Sequence, residues 1–254
     1  MARTNARYGW IPDLPDQRDF HFAAPAAVQA SLPPAVDLRP QCPPVYDQGQ
    51  LGSCTGNGIA GVLQFDALKE QLADTSTPSR LFIYYNERVM EGTVASDSGA
   101  QIRDGIKTVA TTGACDETLW PYTIAAFAHK PSANCYAAAK TSRAITYTRV
   151  SQVLSNLKGC LAAEFPIVFG FTVYDSFESP QVANTGVVPM PAAGESVLGG
   201  HCVMAVGYDD ATGSFTIRNS WGAAWGMAGY ATMPYAYLLS RSLASDFWCV
   251  SSTS

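Results

Sequence analysis

The stretch Asp47-Gln-Gly-Gln-Leu-Gly-Ser-Cys54-Thr-Gly-Asn-Gly58 decides how the rest of the chain is interpreted. It places one cysteine after a glycine-rich turn and before a segment whose apolar residues recur at helical spacing as far as Leu72. The first turn of a helix has unpaired backbone N–H groups, and its positive dipole end favours a thiolate. Cys54 is therefore a candidate nucleophile, with Gln48 as a nearby amide donor. The stretch is equally compatible with a cysteine that only packs at a helix start.

Length and composition limit the classes of protein. A chain of 254 residues can bury a large core in one domain or two, and 47% hydrophobic with only 15% charged residues favours a compact globule. The net charge is -5 and no block of Lys or Arg occurs, which argues against nucleic acid and anionic membranes as partners. No apolar run approaches the ~20 residues of a membrane span.

The start of the chain, MARTNARYGWIPDLPDQRDF, lacks the apolar core of a secretory signal. This leaves the localisation open between the cytoplasm and export by another route. Seven cysteines are present, none of them spaced as C-x-x-C, which argues against a zinc site. We expect no metal and no cofactor.

The predicted secondary structure changes along the chain. Residues 1–31 are interrupted by prolines and are predicted to form an irregular arm. The first half is then mainly helical and the second half mainly strand, which predicts two lobes. Helices are predicted at 54–72, 79–91, 100–112, 134–140 and 150–164, and strands at 166–173, 200–208 and 214–218, the last two joined by the hairpin loop 209–213.

The histidines supply one candidate base. Of the three, His21 lies in the arm and His129 lies among small residues, whereas His201 follows Gly199-Gly200 and opens an apolar strand. A lone histidine on a strand is more often a satisfied polar group than a catalyst. The next strand, however, ends in Asn219-Ser-Trp-Gly222, and an asparagine there can hold the imidazole while its other nitrogen exchanges protons with a thiol.

A nucleotide site is the competing interpretation of the first helix. Gly56, Gly58 and Gly61 match the pattern G-x-G-x-x-G, and Asp74 follows at a tolerable distance. No apolar strand precedes the pattern, because residues 43–50 are rich in proline and polar residues. We therefore expect these glycines to permit close packing of a helix.

Taken in order, Gln48, Cys54, His201 and Asn219-Ser-Trp-Gly222 resemble the papain-like cysteine peptidases, in particular bacterial ones. His201 follows Cys54 within the ~130–150 residues typical of that family, and Asn219 lies slightly farther. The resemblance begins at Leu32-Pro-Pro-Ala-Val-Asp37 and includes Trp120-Pro-Tyr122 and the glycine-aromatic run 225–230. Leu51 and Thr55 stand where papain has a cysteine and a tryptophan, so the usual disulfide of that loop is missing.

The resemblance implies a fold and a reaction. The fold is α+β with two lobes, one helical and one an antiparallel β-barrel-like lobe, and the active site lies in the cleft between them. The implied function is a monomeric endopeptidase acting on proteins or peptides. Its Cys54 thiolate forms an acyl-enzyme, His201 is the acid and base, Asn219 orients the ring, Trp221 shields it, and Gln48 binds the oxyanion.

The resemblance also implies where substrate binds. Ser98-Gly99-Ala100 is similar to the stretch that pairs with an extended substrate backbone, and Gly199 and Gly200 border the cleft. The pocket for the residue two before the scissile bond involves Gly199, Cys202 and the region of Ser245 and Asp246. A pocket faced by Asp246 favours basic residues, and one faced by Ser245 favours apolar residues; the sequence leaves both open.

The implied domain division is an arm at 1–31 and a catalytic domain at 32–254. Within that domain the helical lobe covers about 43–146 plus the tail 247–254, and the β lobe covers about 32–42 and 147–246. The resemblance suggests disulfides Cys42–Cys249 and Cys115–Cys135, with Cys202 as a buried thiol. The arm is either a regulator that occupies the cleft or a disordered leader. A binding module without turnover and an acyl transferase are the alternative functions.

Overall fold

The computed structural model describes residues 8–140 and 145–252. The helices are α1 (Ala26–Ala30), α2 (Cys54–Lys69), α3 (Arg80–Glu91), α4 (Ile102–Thr112), α5 (Ala133–Ala139), α6 (Leu154–Ala162), α7 (Pro180–Thr185) and α8 (Tyr235–Leu239). The strands are β1 (Trp10–Ile11), β2 (Ala35–Asp37), β3 (Ala100–Gln101), β4 (Ile145–Arg149), β5 (Ile167–Tyr174), β6 (Val197–Asp209), β7 (Ser214–Arg218), β8 (Tyr230–Pro234) and β9 (Ala244–Ser252). Among the described helices, none is both long and apolar enough to cross a membrane.

Helix α2 is the central element of the fold and carries Cys54 at its first position. It is buried almost throughout, because it contacts α3 and α4 on one side and strands β6 and β9 on the other. Its glycines allow this packing: a Cβ on Gly56 would lie 2.8 Å from the Arg80 carbonyl oxygen, and one on Gly58 would lie 3.1 Å from Cys202 Sγ. The prediction that the glycines of this helix serve close packing is confirmed for Gly56 and Gly58, whereas a Cβ on Gly61 would meet its nearest atom at 3.7 Å.

Helices α3 and α4 complete the wall of the helical lobe. The Ser79 hydroxyl caps α3 by accepting the Phe82 N–H, and Gly92, in the left-handed region at φ 73°, ends it. Gly113 ends α4 at φ 85°, as predicted. The helix predicted at 100–112 begins two residues later than expected, since Ala100–Gln101 form strand β3.

The second lobe is built on a seven-stranded antiparallel sheet. Its order is β4-β9-β5-β6-β7-β8, and β2 pairs with the end of β6. The predicted α+β fold with two lobes is confirmed, but among the described strands the sheet is open, with β4 and β8 at its ends. The main hydrophobic core lies where α2 packs on this sheet.

The tail of the chain corrects the predicted division of the lobes. Residues 247–252 were expected with the helical lobe, yet they continue β9 inside the sheet, where Val250 pairs with Tyr147 and Cys249 pairs with Ile167. The buried run Phe247-Trp248-Cys249-Val250 suits a strand covered on both faces. The tail therefore belongs to the sheet, where β9 pairs with both β4 and β5.

The cysteines do not pair as the resemblance suggested. All seven, which lie within the described residues, are free thiols. Cys249 faces Cys160, not Cys42, because β9 continues into the sheet beside α6. Cys115 and Cys135 do share a small core cluster, as reduced neighbours. Cys202 is buried, as predicted.

The arm is more ordered than the sequence predicted. Strand β1 pairs in parallel with β3, with Trp10 opposite Ala100. Farther along, His21 forms an isolated bridge with Arg149, and α1 lies against α6. From residue 8 onward the arm therefore follows the surface of the domain and crosses the region in front of Cys54.

Candidate active site

The loop before Cys54 is held from both lobes. Asp47 accepts the Gly49 N–H at 2.8 Å, which forms the turn that Gly49 completes at φ 58°. The Gln48 N–H donates to the Ser220 carbonyl of the sheet lobe, and Tyr122 of the helical lobe donates to the Gln48 carbonyl. The loop thus fixes the position of Cys54 relative to both sides of the cleft.

The Gln48 side chain is fully buried and oriented at both ends. Its Oε1 accepts the Ser220 hydroxyl at 2.6 Å, and its Nε2 donates to the Leu51 carbonyl at 2.8 Å. The nitrogen end therefore faces the loop that carries Cys54. An oxyanion donor needs this orientation of the amide.

His201 lies on β6 in an aromatic enclosure. Its Nε2 is 2.8 Å from Asn219 Oδ1, and the Trp221 indole stacks on the ring at 4.9 Å with an interplanar angle of 29°. Asn219 Oδ1 also accepts the Ser220 N–H, which fixes the amide orientation. The oxygen can only accept, so the neutral imidazole carries its proton on Nε2 and presents Nδ1 as the basic nitrogen.

The Cys54 sulfur contacts the backbone of Cys202, the residue that follows His201 in the chain. It accepts backbone N–H groups of Cys202, of Thr55 in its own helix, and of Gly9 in the arm. The His201 Nδ1 is buried and has no hydrogen-bond partner among the described residues. The structure therefore places the Cys54 sulfur against the strand that carries His201, and the catalytic roles of the two residues stay a prediction.

Burial changes the acidities of both groups. Burial raises the pKa of the Cys54 thiol to about 12, although the hydrogen bonds from the backbone N–H groups lower it. It lowers the pKa of His201 to about 4, although the bond to Asn219 opposes that shift. Both side chains are fully covered from solvent. In this arm-covered state, burial thus opposes the thiolate that the helix dipole favours.

Three arm residues cover the two candidate catalytic side chains. The Tyr8 ring lies 6.0 Å from His201, and Gly9 donates its N–H to the Cys54 sulfur. The indole of Trp10 fills the space left by Gly170, where a Cβ would overlap it. The arm therefore occupies the cleft on both sides of the sulfur.

The glycines predicted to bind substrate contact the arm. Ala100 donates its N–H to the Gly9 carbonyl at 2.7 Å, and a Cβ on Gly99 would overlap that carbonyl. A Cβ on Gly199 would lie 2.9 Å from Tyr8 Cβ, and one on Gly200 would overlap the Trp10 backbone.

Ser98, by contrast, is turned back into its own loop. Its hydroxyl donates to Thr93 Oγ1 at 2.9 Å and lies 3.0 Å from the Gly99 carbonyl. The structure therefore places Gly99, Gly199 and Gly200 against an extended chain and leaves the Ser98 side chain out of that contact.

Asp246 faces the pocket that holds the Trp10 indole. This is one of the two arrangements that the sequence left open. Its Oδ2 accepts the Trp10 Nε1–H at 3.2 Å and the Asp13 N–H at 2.8 Å, while Arg149 contacts its Oδ1 at 3.3 Å. Asp246 has a positive φ of 57°, which turns the backbone at this point. The pocket thus ends in a carboxylate.

Sequence reasoning missed several residues of the site. Asp97 accepts the Gly52 N–H and the Tyr84 hydroxyl, which supports the nucleophile loop, but nothing in its sequence context indicates this role. Gly170 did carry a signal, because an isolated glycine in an apolar strand often marks a close approach. Tyr8 and Trp10 stood out only as scattered aromatics.

The papain family cysteine protease model matches residues 32–240 of this chain. Among solved structures, xylellain, a cysteine protease from Xylella fastidiosa, is 43% identical, with a TM-score of 0.94 over 100% of this chain and 99% of that one. A procathepsin L 3 from Tenebrio molitor larval midgut shares the fold at 18% identity, with a TM-score of 0.72 over 98% of this chain and 77% of that one.

The curated relatives agree. An uncharacterized peptidase C1-like protein of Acanthamoeba polyphaga mimivirus is 41% identical over 96% of this chain and 86% of its own length. Cysteine proteinase 3 of Entamoeba histolytica is 30% identical over 81% of this chain, which spans 63% of that relative. The chain therefore belongs to the papain family of cysteine proteases and is a cysteine peptidase.

Proposed function

We propose that this cysteine peptidase is an endopeptidase in which Cys54 is the nucleophile and His201 the acid and base. The observation that carries the proposal is the 2.8 Å bond between His201 Nε2 and Asn219 Oδ1, which reserves Nδ1 for the thiol. The path of the arm supports cleavage within a chain. A continuous polypeptide passes the Cys54 sulfur, so the cleft accepts substrate on both sides of it.

The reaction follows from these positions. Nδ1 takes the thiol proton, and the sulfur attacks the carbonyl carbon of the peptide bond while that carbonyl's π electrons move to its oxygen. The Gln48 Nε2 group and the Cys54 backbone N–H bind the resulting oxyanion. When the oxyanion collapses, the C–N bond breaks and the imidazolium gives its proton to the departing amine. Water, deprotonated by His201, then attacks the thioester, which releases the carboxylic acid and restores the thiol.

The pocket that holds Trp10 defines the first substrate preference. Once the arm is displaced, Asp246 Oδ2 loses the Trp10 and Asp13 donors and can accept a donor from the substrate. Arg149 remains beside Oδ1 and reduces the net charge. We expect arginine, lysine or tryptophan two residues before the scissile bond to be preferred over aliphatic residues.

The arm acts in this proposal as an inhibitor that lies in the cleft in the wrong direction. His201 protonates the leaving amine, so the residue after the scissile bond belongs on the side of His201 and Trp221. In the arm that side is occupied by Tyr8, which precedes Gly9 at the sulfur, and the pocket is occupied by Trp10, which follows it. The arm therefore runs opposite to a productive substrate, and its peptide bonds are not presented for cleavage.

Buried ion pairs hold the arm in place. Asp13 lies 3.1 Å from Arg149 and accepts the Trp248 indole N–H at 2.8 Å. Asp19 contacts Arg103 at 2.5 Å and Arg149 at 3.1 Å. Breaking a buried pair by removing one partner typically costs about 3–5 kcal/mol. These contacts make the arm a specific ligand of the domain.

Two measurements test the nucleophile. In the arm-released enzyme one thiol should react with an alkylating reagent well below pH 8.5, and Cys54→Ala should abolish both that reaction and the cleavage of a peptide library. Cys42→Ser, at a half-buried thiol away from the cleft, is the matched control and should change neither. Reaction without cleavage would indicate a binding module, and products joined to an added amine would indicate acyl transfer.

Removing residues 1–31 tests the arm. If the arm inhibits, the truncated enzyme should be faster than the full chain on the same peptides. Because α1 packs on α6, thermal unfolding should be followed in parallel to separate lost inhibition from lost stability. Unchanged activity in a stable truncated enzyme would reject the arm as inhibitor.

A further inference from the structure

The cleft has a second carboxylate, on the side opposite the Trp10 pocket. Glu178 ends a short 3-10 turn, Asp175–Glu178, and accepts a hydrogen bond from the Tyr8 hydroxyl. Tyr8 is the arm residue that lies against His201 and Trp221, at 6.0 and 6.2 Å between ring centres. Glu178 therefore contacts the arm side chain that occupies this side of the cleft.

The position of Glu178 is fixed by its neighbour. Phe177 is buried and packs 5.5 Å from Trp221 and 5.6 Å from Trp225, and its ring centre is 6.5 Å from that of His201. This cluster is the same one that encloses the imidazole. Because Phe177 packs in this cluster, its neighbour Glu178 lies at the edge of the enclosure of His201.

The surrounding wall is acidic. Between Lys158 and Arg218 the chain has no lysine or arginine, while Asp175, Glu178 and Glu195 lie on this side. Glu195 accepts the N–H groups of Ser176 and Ala192, and Asp175 accepts that of Ser196, so these two hold the wall together. Glu178 differs from them in reaching the occupant of the cleft.

We propose that Glu178 determines specificity for the residue immediately after the scissile bond and selects lysine, arginine or tyrosine there. A cation gains from the carboxylate and from the missing basic residues, and a tyrosine can repeat the contact that Tyr8 makes. An acidic residue meets like charge. The inference rests on the proposed peptidase function, and it predicts products whose new amino terminus carries one of these side chains.

The test is cleavage of four peptides that differ only after the scissile bond, with lysine, tyrosine, alanine or glutamate there. The enzyme is the full chain with Gly9→Ala to displace the arm. We expect kcat/KM for the lysine peptide to exceed that for the glutamate peptide about tenfold. Glu178→Gln should reduce this ratio to about twofold, and Glu178→Lys should invert it, with the alanine peptide little changed in both.

Glu195→Gln is the matched control. It removes the same charge from the same wall but not from the Tyr8 contact, so the ratio should stay near tenfold. An equal loss of selectivity in Glu195→Gln and Glu178→Gln would overturn the role of Glu178, as would an unchanged ratio in Glu178→Gln. If none of the peptides is cleaved and Cys54 does not react with an alkylating reagent, the proposed function itself fails.

Discussion

Two segments approach the Cys54 sulfur, and they are held in different ways. Strand β6 brings His201 from within the sheet, where it pairs with β5 on one side and β7 on the other and is buried among apolar residues. The arm brings Gly9 and pairs with β3 over two residues only. Its other strong contacts are ion pairs of Asp13 and Asp19. The first segment is a central strand of the sheet, and the second is the segment that the proposed mechanism requires to leave the cleft.

The largest expected effect comes from replacing His201, which lies on β6. His201→Ala should lower kcat/KM at least about 1000-fold, because acid and base catalysis are lost together. The ring is surrounded by aromatic residues, so some stability is lost too, and His201→Gln is the better-matched variant. Activity of the arm-released enzyme and its melting temperature would be measured side by side. A folded His201→Gln enzyme with near-normal turnover would remove His201 from the mechanism.

Displacing the arm should give the next largest effect, of opposite sign. A Cβ on Gly9 would overlap the Gly52 carbonyl, so Gly9→Ala cannot keep the arm in its place. We expect peptide cleavage by the full chain to rise about tenfold or more, while the free energy of unfolding falls because the buried contacts of Trp10, Asp13 and Asp19 are lost. Leu14→Ala, at an exposed arm residue, is the control and should leave the rate unchanged.

The burial of Asp13 next to Asp246 predicts that the hold on the arm depends on pH. Burial, with the nearby Asp246, raises the pKa of Asp13 to about 6 in the covered state, while Arg103 and Trp248 act in the opposite direction. The covered state therefore binds the proton more tightly, and this contribution is complete below about pH 4 and lost as the pH rises to about 6. Lowering the pH should therefore strengthen the binding of the arm in the cleft.

Limited proteolysis of the arm in a Cys54→Ala chain would measure this without interference from catalysis. Arm cleavage by an added protease should be slower at pH 4.5 than at pH 7, relative to an unstructured peptide of the same sequence. Asp13→Asn should remove most of the dependence. Faster arm cleavage at the lower pH would contradict the sign derived from Asp13.

The smallest effect is expected from replacing Tyr8 of the arm. Tyr8→Phe removes the hydrogen bond to Glu178 but keeps the ring beside His201 and Trp221. A hydrogen bond to a charged group contributes about 1.5–3 kcal/mol when buried, and this half-buried one should contribute less. We expect the full chain to become about three times more active. A rise as large as that of Gly9→Ala would mean that Tyr8 is the main anchor.

The same contrast explains what the sequence could predict. Cys54, His201 and Asn219 could be predicted as site residues because each has a local signal, a glycine turn before a helix or a strand end with an amide. The helices and the hairpin strands were found within a few residues for the same reason. The contacts of Glu178, Asp97 and Asp13 depend on which segments meet in space, and nothing near them in the chain indicates it. The place of Cys249 was missed because pairing of the tail with β4 and β5 is equally non-local.

Gly170 has a consequence for how such a peptidase can diverge. The gap it leaves in β5 admits the indole of Trp10, and the proposed mechanism places a substrate side chain there once the arm is displaced. Under the proposed mechanism, a larger residue at position 170 would weaken inhibition by the arm and change the substrate preference in one step. Relatives with another residue at position 170 should therefore differ in both inhibition by the arm and substrate preference. A compensating substitution at position 10 would mark such a change.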